Sequence, residues 1–187
     1  MVTIHVDDMA AAADNEETLQ HTLTTLQSII DLVNIGPIKW FLGMHVSRDH
    51  KAQMISLSQS AYIDTVLKHF GMIDAYDVST PLDTNVVLCM DMCPSTDKEK
   101  DQMHCVPYLA AVGSLMYALM ATWPDITFVT NKFSQFNASP GFSHWTAVQH
   151  VLRYLKQTRN YALTLGNMQE ITLTGYTDSD FAGCTNT

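Results

Sequence analysis

Val2-Thr3-Ile4-His5-Val6-Asp7-Asp8-Met9-Ala10-Ala11-Ala12-Ala13 opens a chain of 187 residues and holds the pattern from which the fold is read. Val2, Ile4 and Val6 alternate with Thr3 and His5, the period of a half-buried strand. Asp7-Asp8 breaks the apolar run, and Met9 to Ala13 can return as a second strand, so a hairpin with two carboxylates at its tip is predicted. Asp14, with Glu17 three residues on, has the form of a capping box. Leu19, Leu23, Leu26, Ile30 and Val33 then recur at helical spacing. A strand pair followed by a helix, with more of both downstream, gives an α+β class.

Farther along, Gly36-Pro37 marks a turn, and Trp40 to Val46 and Met54 to Leu57 read as two strands joined at Arg48-Asp49-His50-Lys51. A helix from about Ala61 to Phe70 is expected, ended by Gly71 as a left-handed cap. Asp74 to Met103 carries two prolines and the charge run Asp97-Lys98-Glu99-Lys100-Asp101, and reads mostly as loop or linker. Helices are predicted at Pro107 to Ala121, Pro124 to Phe136 and Ser143 to Gln157. Pro107 and Pro124 suit first-turn positions and Ser143 an N-cap. Tyr161 to Leu165 and Ile171 to Tyr176 alternate like a hairpin turning at Gly166-Asn167.

Composition narrows the function classes. An apolar fraction of 47% and a charged fraction of 16% belong to a chain with a core. Ten Lys and Arg against nineteen Asp and Glu give a net charge of −9, the wrong sign for a non-specific grip on phosphates. Cys89, Cys93, Cys105 and Cys184 lack the spacing of a disulfide framework, and no secretory leader or apolar run of membrane-spanning length is seen. The expectation is an intracellular protein, cytoplasmic or nuclear, neither secreted nor membrane-bound. Cys89, Cys93, His104 and Cys105 make a poor zinc set, because an adjacent His and Cys chelate badly.

Two carboxylate pairs carry chemical content. Asp7-Asp8 sits at the tip of the predicted hairpin, where a cation or solvent must screen the repulsion. Asp178 and Asp180 end a strand whose alternation sets both on one face. Taken singly, each pair is more often a polar turn or strand end than a Mg²⁺ site. Arg153, Lys156 and Arg159 follow one side of a helix, more often a solvated face than a nucleic-acid contact. His144 and His150 stand apart from ligand spacing and read as packing or surface residues.

Order and surroundings add to this. Ile4-His5-Val6-Asp7-Asp8-Met9 resembles the Tyr-x-Asp-Asp hairpin of reverse transcriptases. Ile38-Lys39-Trp40-Phe41-Leu42-Gly43-Met44, Ser56-Leu57-Ser58-Gln59-Ser60-Ala61-Tyr62-Ile63 and Ser79-Thr80-Pro81-Leu82 resemble segments that follow it in copia-type LTR retrotransposon Pol polyproteins. So do Tyr108 with Val112-Gly113-Ser114-Leu115-Met116-Tyr117, Pro124-Asp125-Ile126 and Val151-Leu152-Arg153-Tyr154-Leu155-Lys156-Gln157-Thr158. Gly175-Tyr176-Thr177-Asp178-Ser179-Asp180-Phe181-Ala182-Gly183 resembles the opening of that family's RNase H domain. The likeness runs in order through nearly the whole chain. Three positions depart from it: His5 stands where the family has Tyr, and Leu109 and Trp123 where it has Arg.

The resemblance implies a partial palm and thumb-like region over residues 1–73, a linker over 74–106, a helical connection over 107–160 and the first hairpin of an RNase H-like sheet over 161–187. It implies that Asp7 and Asp8 are palm carboxylates for Mg²⁺, that Asp178 is the first RNase H carboxylate, also for Mg²⁺, and that Phe41, Leu42 and Gly43 lie at a primer-grip-like position. Parent partners would be an RNA template and an RNA/DNA hybrid. The remaining palm and RNase H carboxylates are expected outside this stretch, on the missing palm, fingers and RNase H segments, so that the chain alone holds no stable Mg²⁺ and is inactive. It would then be a fragment or relic. The alternatives are a working part of an intact element's polyprotein, or a domesticated non-catalytic interaction module.

Overall fold

A computed structural model describes residues 1–83, 85–166, 175 and 177. The class is α+β, with six helices of regular α type and two antiparallel sheets among those residues. β1 (Val2–His5) and β2 (Asp8–Ala11) form the expected hairpin in register Val2↔Ala11 to His5↔Asp8. Its two-residue turn is Val6-Asp7, so Asp8 already belongs to the returning strand. α1 (Glu16–Gln27) follows, capped by Asn15, whose side chain accepts from the Thr18 amide at 2.8 Å. The cap therefore falls one residue after the Asp14 predicted from sequence. α1 also ends before Ile30 and Val33. No residue of α1 is buried, and Val33 and Ile35 are 84% and 92% exposed, so tertiary packing does not extend the helix through them.

The second sheet has the order β3-β4-β5-β6, with β3 Trp40–Phe41, β4 Met44–Asp49, β5 Met54–Ser58 and β6 Leu163–Gly166. The single strand expected over Trp40 to Val46 is instead a tight hairpin turning at Leu42-Gly43. β6 pairs with β5 across more than a hundred residues, Leu57 opposite Leu163 and Met54 opposite Gly166. Alternation gives the sheet an apolar face (Val46, Ile55, Leu57, Leu163) and a hydroxyl face, where Ser56 and Thr164 bond side chain to side chain at 2.9 Å. The hairpin partner expected at Ile171 to Tyr176 lies, but for Gly175, outside the described residues.

Five helices remain, α2 (Ser60–His69), α3 (Asp97–His104), α4 (Tyr108–Ala121), α5 (Thr127–Ser134) and α6 (Phe142–Thr158), and α2, α4, α5 and α6 supply the helical residues of the core. On α6, His144, Ala147, Val148, Val151, Leu152, Leu155 and Thr158 are buried, a stripe repeating every three or four residues. It meets Ile63, Val66 and Leu67 of α2 and Ala111, Val112, Leu115 and Ala118 of α4 in one cluster. Phe133 of α5 is fully buried there, and its carbonyl accepts from the Tyr108 hydroxyl at 2.9 Å. α5 is preceded by a 3-10 turn, Pro124–Ile126, which takes the first part of the helix expected from Pro124. Pro107 and Gly141 are the N-caps of α4 and α6, so Pro107 and Ser143 each sit one or two places from their predicted roles.

α2 ends as expected. Gly71 has φ +65°, the Met72 amide donates to the Leu67 carbonyl at 2.8 Å and the Gly71 amide to that of Lys68 at 3.3 Å. Met72 and Leu67 are both buried, which closes a Schellman motif. A Cβ on Gly71 would meet nothing within 4 Å, so Gly71→Ala isolates the cost of the left-handed backbone. It should lower stability by about 1 kcal/mol, measured by urea unfolding.

The stretch read as linker is packed structure for much of its length. The charge run forms α3, which Thr96 and Glu99 close as a reciprocal capping box: the Glu99 amide donates to Thr96 Oγ1 at 3.3 Å and the Thr96 amide to Glu99 Oε2 at 3.0 Å. Those hydrogen bonds hold the Glu99 carboxyl below the usual range. Leu88 and Met103 are buried, and Met92, Cys93 and Val106 pack on the core. Arg153 and Lys156 of α6 hold the earlier part in place. Arg153 lies 4.4 Å over the Tyr76 ring and donates to its hydroxyl at 2.6 Å. Lys156 pairs with Asp77 at 3.0 Å and donates to the Ala75 carbonyl, and Arg159 reaches Asp64 at 3.5 Å. Arg153 and Lys156 are half-buried and engaged within the chain, whereas Arg159 makes its ion pair on the exposed surface.

Candidate active site

Asp7 and Asp8 stand at the tip of the β1–β2 hairpin, both exposed to solvent. The backbone beneath them is unusual. Val6 takes φ +51°, a left-handed value that β-branched residues rarely adopt, and its side chain is 83% exposed. No burial of Val6 offsets the strain. Conformations of this kind gather at sites where the chain must present particular groups, and here the groups presented are two carboxylates.

Divalent-metal chemistry would need more. Mg²⁺ takes near-octahedral oxygen ligation from well-placed carboxylates. Among the described residues no three His, Cys, Asp or Glu side chains come together in a group that could hold a metal ion. Asp7 and Asp8 are the carboxylates this hairpin offers, and Asp178 and Asp180 lie outside the described residues. Cys89 and Cys93 are half-buried and Cys105 is exposed. Burial pushes the Cys93 thiol up, with nearby Cys89 adding to the effect.

Phe41, Leu42 and Gly43 make up the turn end of the β3–β4 hairpin. Leu42 (φ +49°) and Gly43 (φ +74°) both lie in the left-handed region, as a two-residue type I′ turn requires. Asn-Gly is the ordinary sequence for such a turn, so Leu42 is strained and its turn could not be read from residue preference. Three of the quoted motifs meet here. Tyr117 of α4 donates to the Leu42 carbonyl at 2.7 Å, and its ring packs edge-on against Tyr62 of α2 at 4.7 Å. The Tyr62 hydroxyl donates to the Ser114 carbonyl at 3.0 Å. Burial raises the Tyr62 phenol above its ordinary range, so it remains a donor.

The two departures inside the helical region differ in setting. Leu109 is 64% exposed, a place where Arg would equally stand in water. Trp123 is 3% exposed and meets Tyr154 edge-on at 6.3 Å, with its Nε1 buried and unpartnered. Beside it Tyr154 donates to Asp125; burial first, then the carboxylate, pushes that phenol up to about 12. His144 is fully buried and His150 bonds through Nε2 to the Thr80 carbonyl at 2.9 Å, so both are tied into the fold. No single helix among the described residues is long and apolar enough to cross a membrane.

Residues 1–84 match the family described as reverse transcriptase (RNA-dependent DNA polymerase). Over 98% of its length the chain is 40% identical to the Retrovirus-related Pol polyprotein from transposon TNT 1-94 of Nicotiana tabacum. It is 32% identical, again over 98%, to the Retrovirus-related Pol polyprotein from transposon RE2 of Arabidopsis thaliana. It spans 14% and 12% of those two proteins. An uncharacterized mitochondrial protein of Arabidopsis thaliana is 30% identical over 98% of the chain, which here covers 72% of the relative. No solved structure matches the chain. With the carboxylate hairpin, the Phe41–Gly43 turn and the helical motifs all in family order, the chain belongs to the reverse transcriptases of copia-type retrotransposon Pol polyproteins.

Proposed function

We propose that this chain is the piece of a copia-type polyprotein that runs from the palm hairpin of the reverse transcriptase, through a thumb-like sheet and a helical connection, into the start of RNase H. Its lineage is RNA-directed DNA synthesis with Mg²⁺ on an RNA template and an RNA/DNA hybrid, in an intracellular setting. By itself it catalyses neither polymerisation nor hybrid cleavage. The observation that carries this is the isolation of Asp7 and Asp8: both are exposed, on a two-stranded sheet, with no third metal-binding side chain gathered beside them among the described residues. A two-metal centre clamps the attacking and leaving oxygens through ligands from several parts of a fold. Two neighbouring carboxylates on one turn do not supply that.

Asp178 carries the same role for the RNase H site. The exposed apolar residues around α1, among them Ile29, Val33 and Ile35, fit a surface that the rest of a palm would cover. A primer-extension assay tests the proposal. The purified chain, given an RNA template, an annealed DNA primer, deoxynucleotides and Mg²⁺, should incorporate nothing above a protein-free control, and Asp7→Asn should behave identically. Extension by the unmodified chain that disappears in Asp7→Asn would show a complete site and overturn it. A labelled hybrid substrate, with Asp178→Asn as control, tests cleavage in the same way.

A further inference from the structure

Leu42 is held in a conformation that its own side chain resists. The left-handed region costs an L-residue roughly 1–2 kcal/mol, and glycine or asparagine is the usual occupant. The Leu42 carbonyl nonetheless accepts a hydrogen bond at 2.7 Å from Tyr117, a residue 75 positions later on a different element. Tyr117 is itself fixed. Its ring lies against Tyr62, and Tyr62 is tied to the α4 backbone at Ser114. The hydroxyl also closes over the next residue, because a Cβ on Gly43 would come within 3.3 Å of Tyr117 Oη. One phenol thus spans both central residues of the turn, and α4 sits against the hairpin through it.

We propose that Tyr117 is a positioning residue for the Phe41–Gly43 turn: its hydroxyl holds the Leu42 carbonyl and keeps the left-handed turn closed. The turn then meets the primer end of a nucleic acid as one rigid piece. This rests on the primer-grip-like position that the family resemblance implies for Phe41, Leu42 and Gly43. It makes the helical region after Pro107 part of the apparatus that sets the primer, where the expected division would make it a separate connection. The turn lies at the end of a two-residue strand, β3, and has little ladder of its own to hold it. Without the phenol, Leu42 has a steric reason to leave the left-handed region, and the hairpin end would open.

The test begins with amide hydrogen exchange at Leu42 to Val46 in the 187-residue chain, comparing wild type with Tyr117→Phe. That substitution keeps the ring on Tyr62 and removes only the hydroxyl. Exchange at the turn should quicken by about 2- to 10-fold, the range for one lost hydrogen bond, while α4 stays as protected as before. Adding Leu42→Gly relieves the strain that the bond opposes, so the double variant should return toward wild-type exchange. Packing alone predicts no such rescue. Unchanged exchange in Tyr117→Phe, or failure of the rescue, overturns the clamp. A Pol polyprotein carrying this segment in place of its own then reads the primer. There Tyr117→Phe should raise KM for primer–template by a similar factor with kcat held. A turn that loosens in exchange while KM stays fixed would overturn the primer role of the turn and leave the clamp standing.

Discussion

Gly141→Ala should destabilise the chain by about 3 kcal/mol or more, at the upper end of what forcing an extra methyl into a packed interior costs. The backbone at Gly141 is ordinary, φ −93° and ψ 173°, and alanine adopts it freely. The obstacle is space. A Cβ there would lie 1.7 Å from the Met92 carbonyl oxygen and 2.9 Å from its carbon. Both are main-chain atoms, so no side-chain rotation relieves the overlap. Either the 3-10 turn Met90–Met92 moves away by more than an ångström, or the first turn of α6 does. In the first case Met92 and Cys93 leave the core; in the second His144 leaves Phe136. Gly113→Ala supplies the opposite sign. Gly113 lies within α4, where a Cβ meets nothing within 4 Å, so alanine should stabilise by about 0.5–1 kcal/mol through helix propensity. Urea midpoints that move together for the two variants would mean that residues 90–93 do not seal the N-terminus of α6.

Which features are legible in the amino-acid sequence follows from how local each cause is. The β1–β2 hairpin, α2 with its Gly71 cap, and the apolar stripe of α6 are dictated by residues within a few positions of one another, and periodicity is enough to find them. The capping box Thr96-x-x-Glu99 is equally local and is the signal for α3, although the charges around it have the composition of a solvated linker. The Leu42-Gly43 turn left no such trace, because leucine is a poor residue for the conformation and the group that holds it is Tyr117. Pairing of β6 with β5 and the partners of Arg153, Lys156 and Arg159 lie 77 to 112 residues away along the chain, beyond any spacing rule. Asp7, Asp8 and the Phe41–Gly43 turn could be named from motif order alone. Their geometry could not: Val6 carrying the strain, and Asp8 already in the strand, emerge only from the three-dimensional register.

His144→Gln should flatten the loss of stability that the chain suffers between pH 7.5 and 5.5. His144 is fully buried, stacked on Phe136 at 4.0 Å between centroids, and its Nδ1 accepts from the Gly141 amide at 2.9 Å. An acceptor at Nδ1 fixes the neutral ring. Nε2 is buried without a hydrogen-bond partner. Burial, the larger influence, lowers the pKa from the ordinary 6.5, and the Cys89 carbonyl opposes it more weakly. The unfolded chain therefore binds this proton first as pH falls. Above about 6.5 neither state carries it and the full stability is present. Below that value the unfolded state is favoured, by at most about 1.4 kcal/mol per pH unit for one proton, until the folded-state pKa is reached. Glutamine is an ordinary residue at the third position of a capping box and can still accept from Gly141, but it does not titrate. The other histidines and the carboxylates are common to both proteins and cancel in the difference. Urea unfolding at intervals across this range should give a smaller acid-side slope for the variant, even if the lost stacking on Phe136 lowers its stability at pH 7.5. Parallel slopes would mean that His144 takes up its proton as readily in the folded chain as in the unfolded one, and that the Gly141 amide is satisfied by something other than an imidazole lone pair.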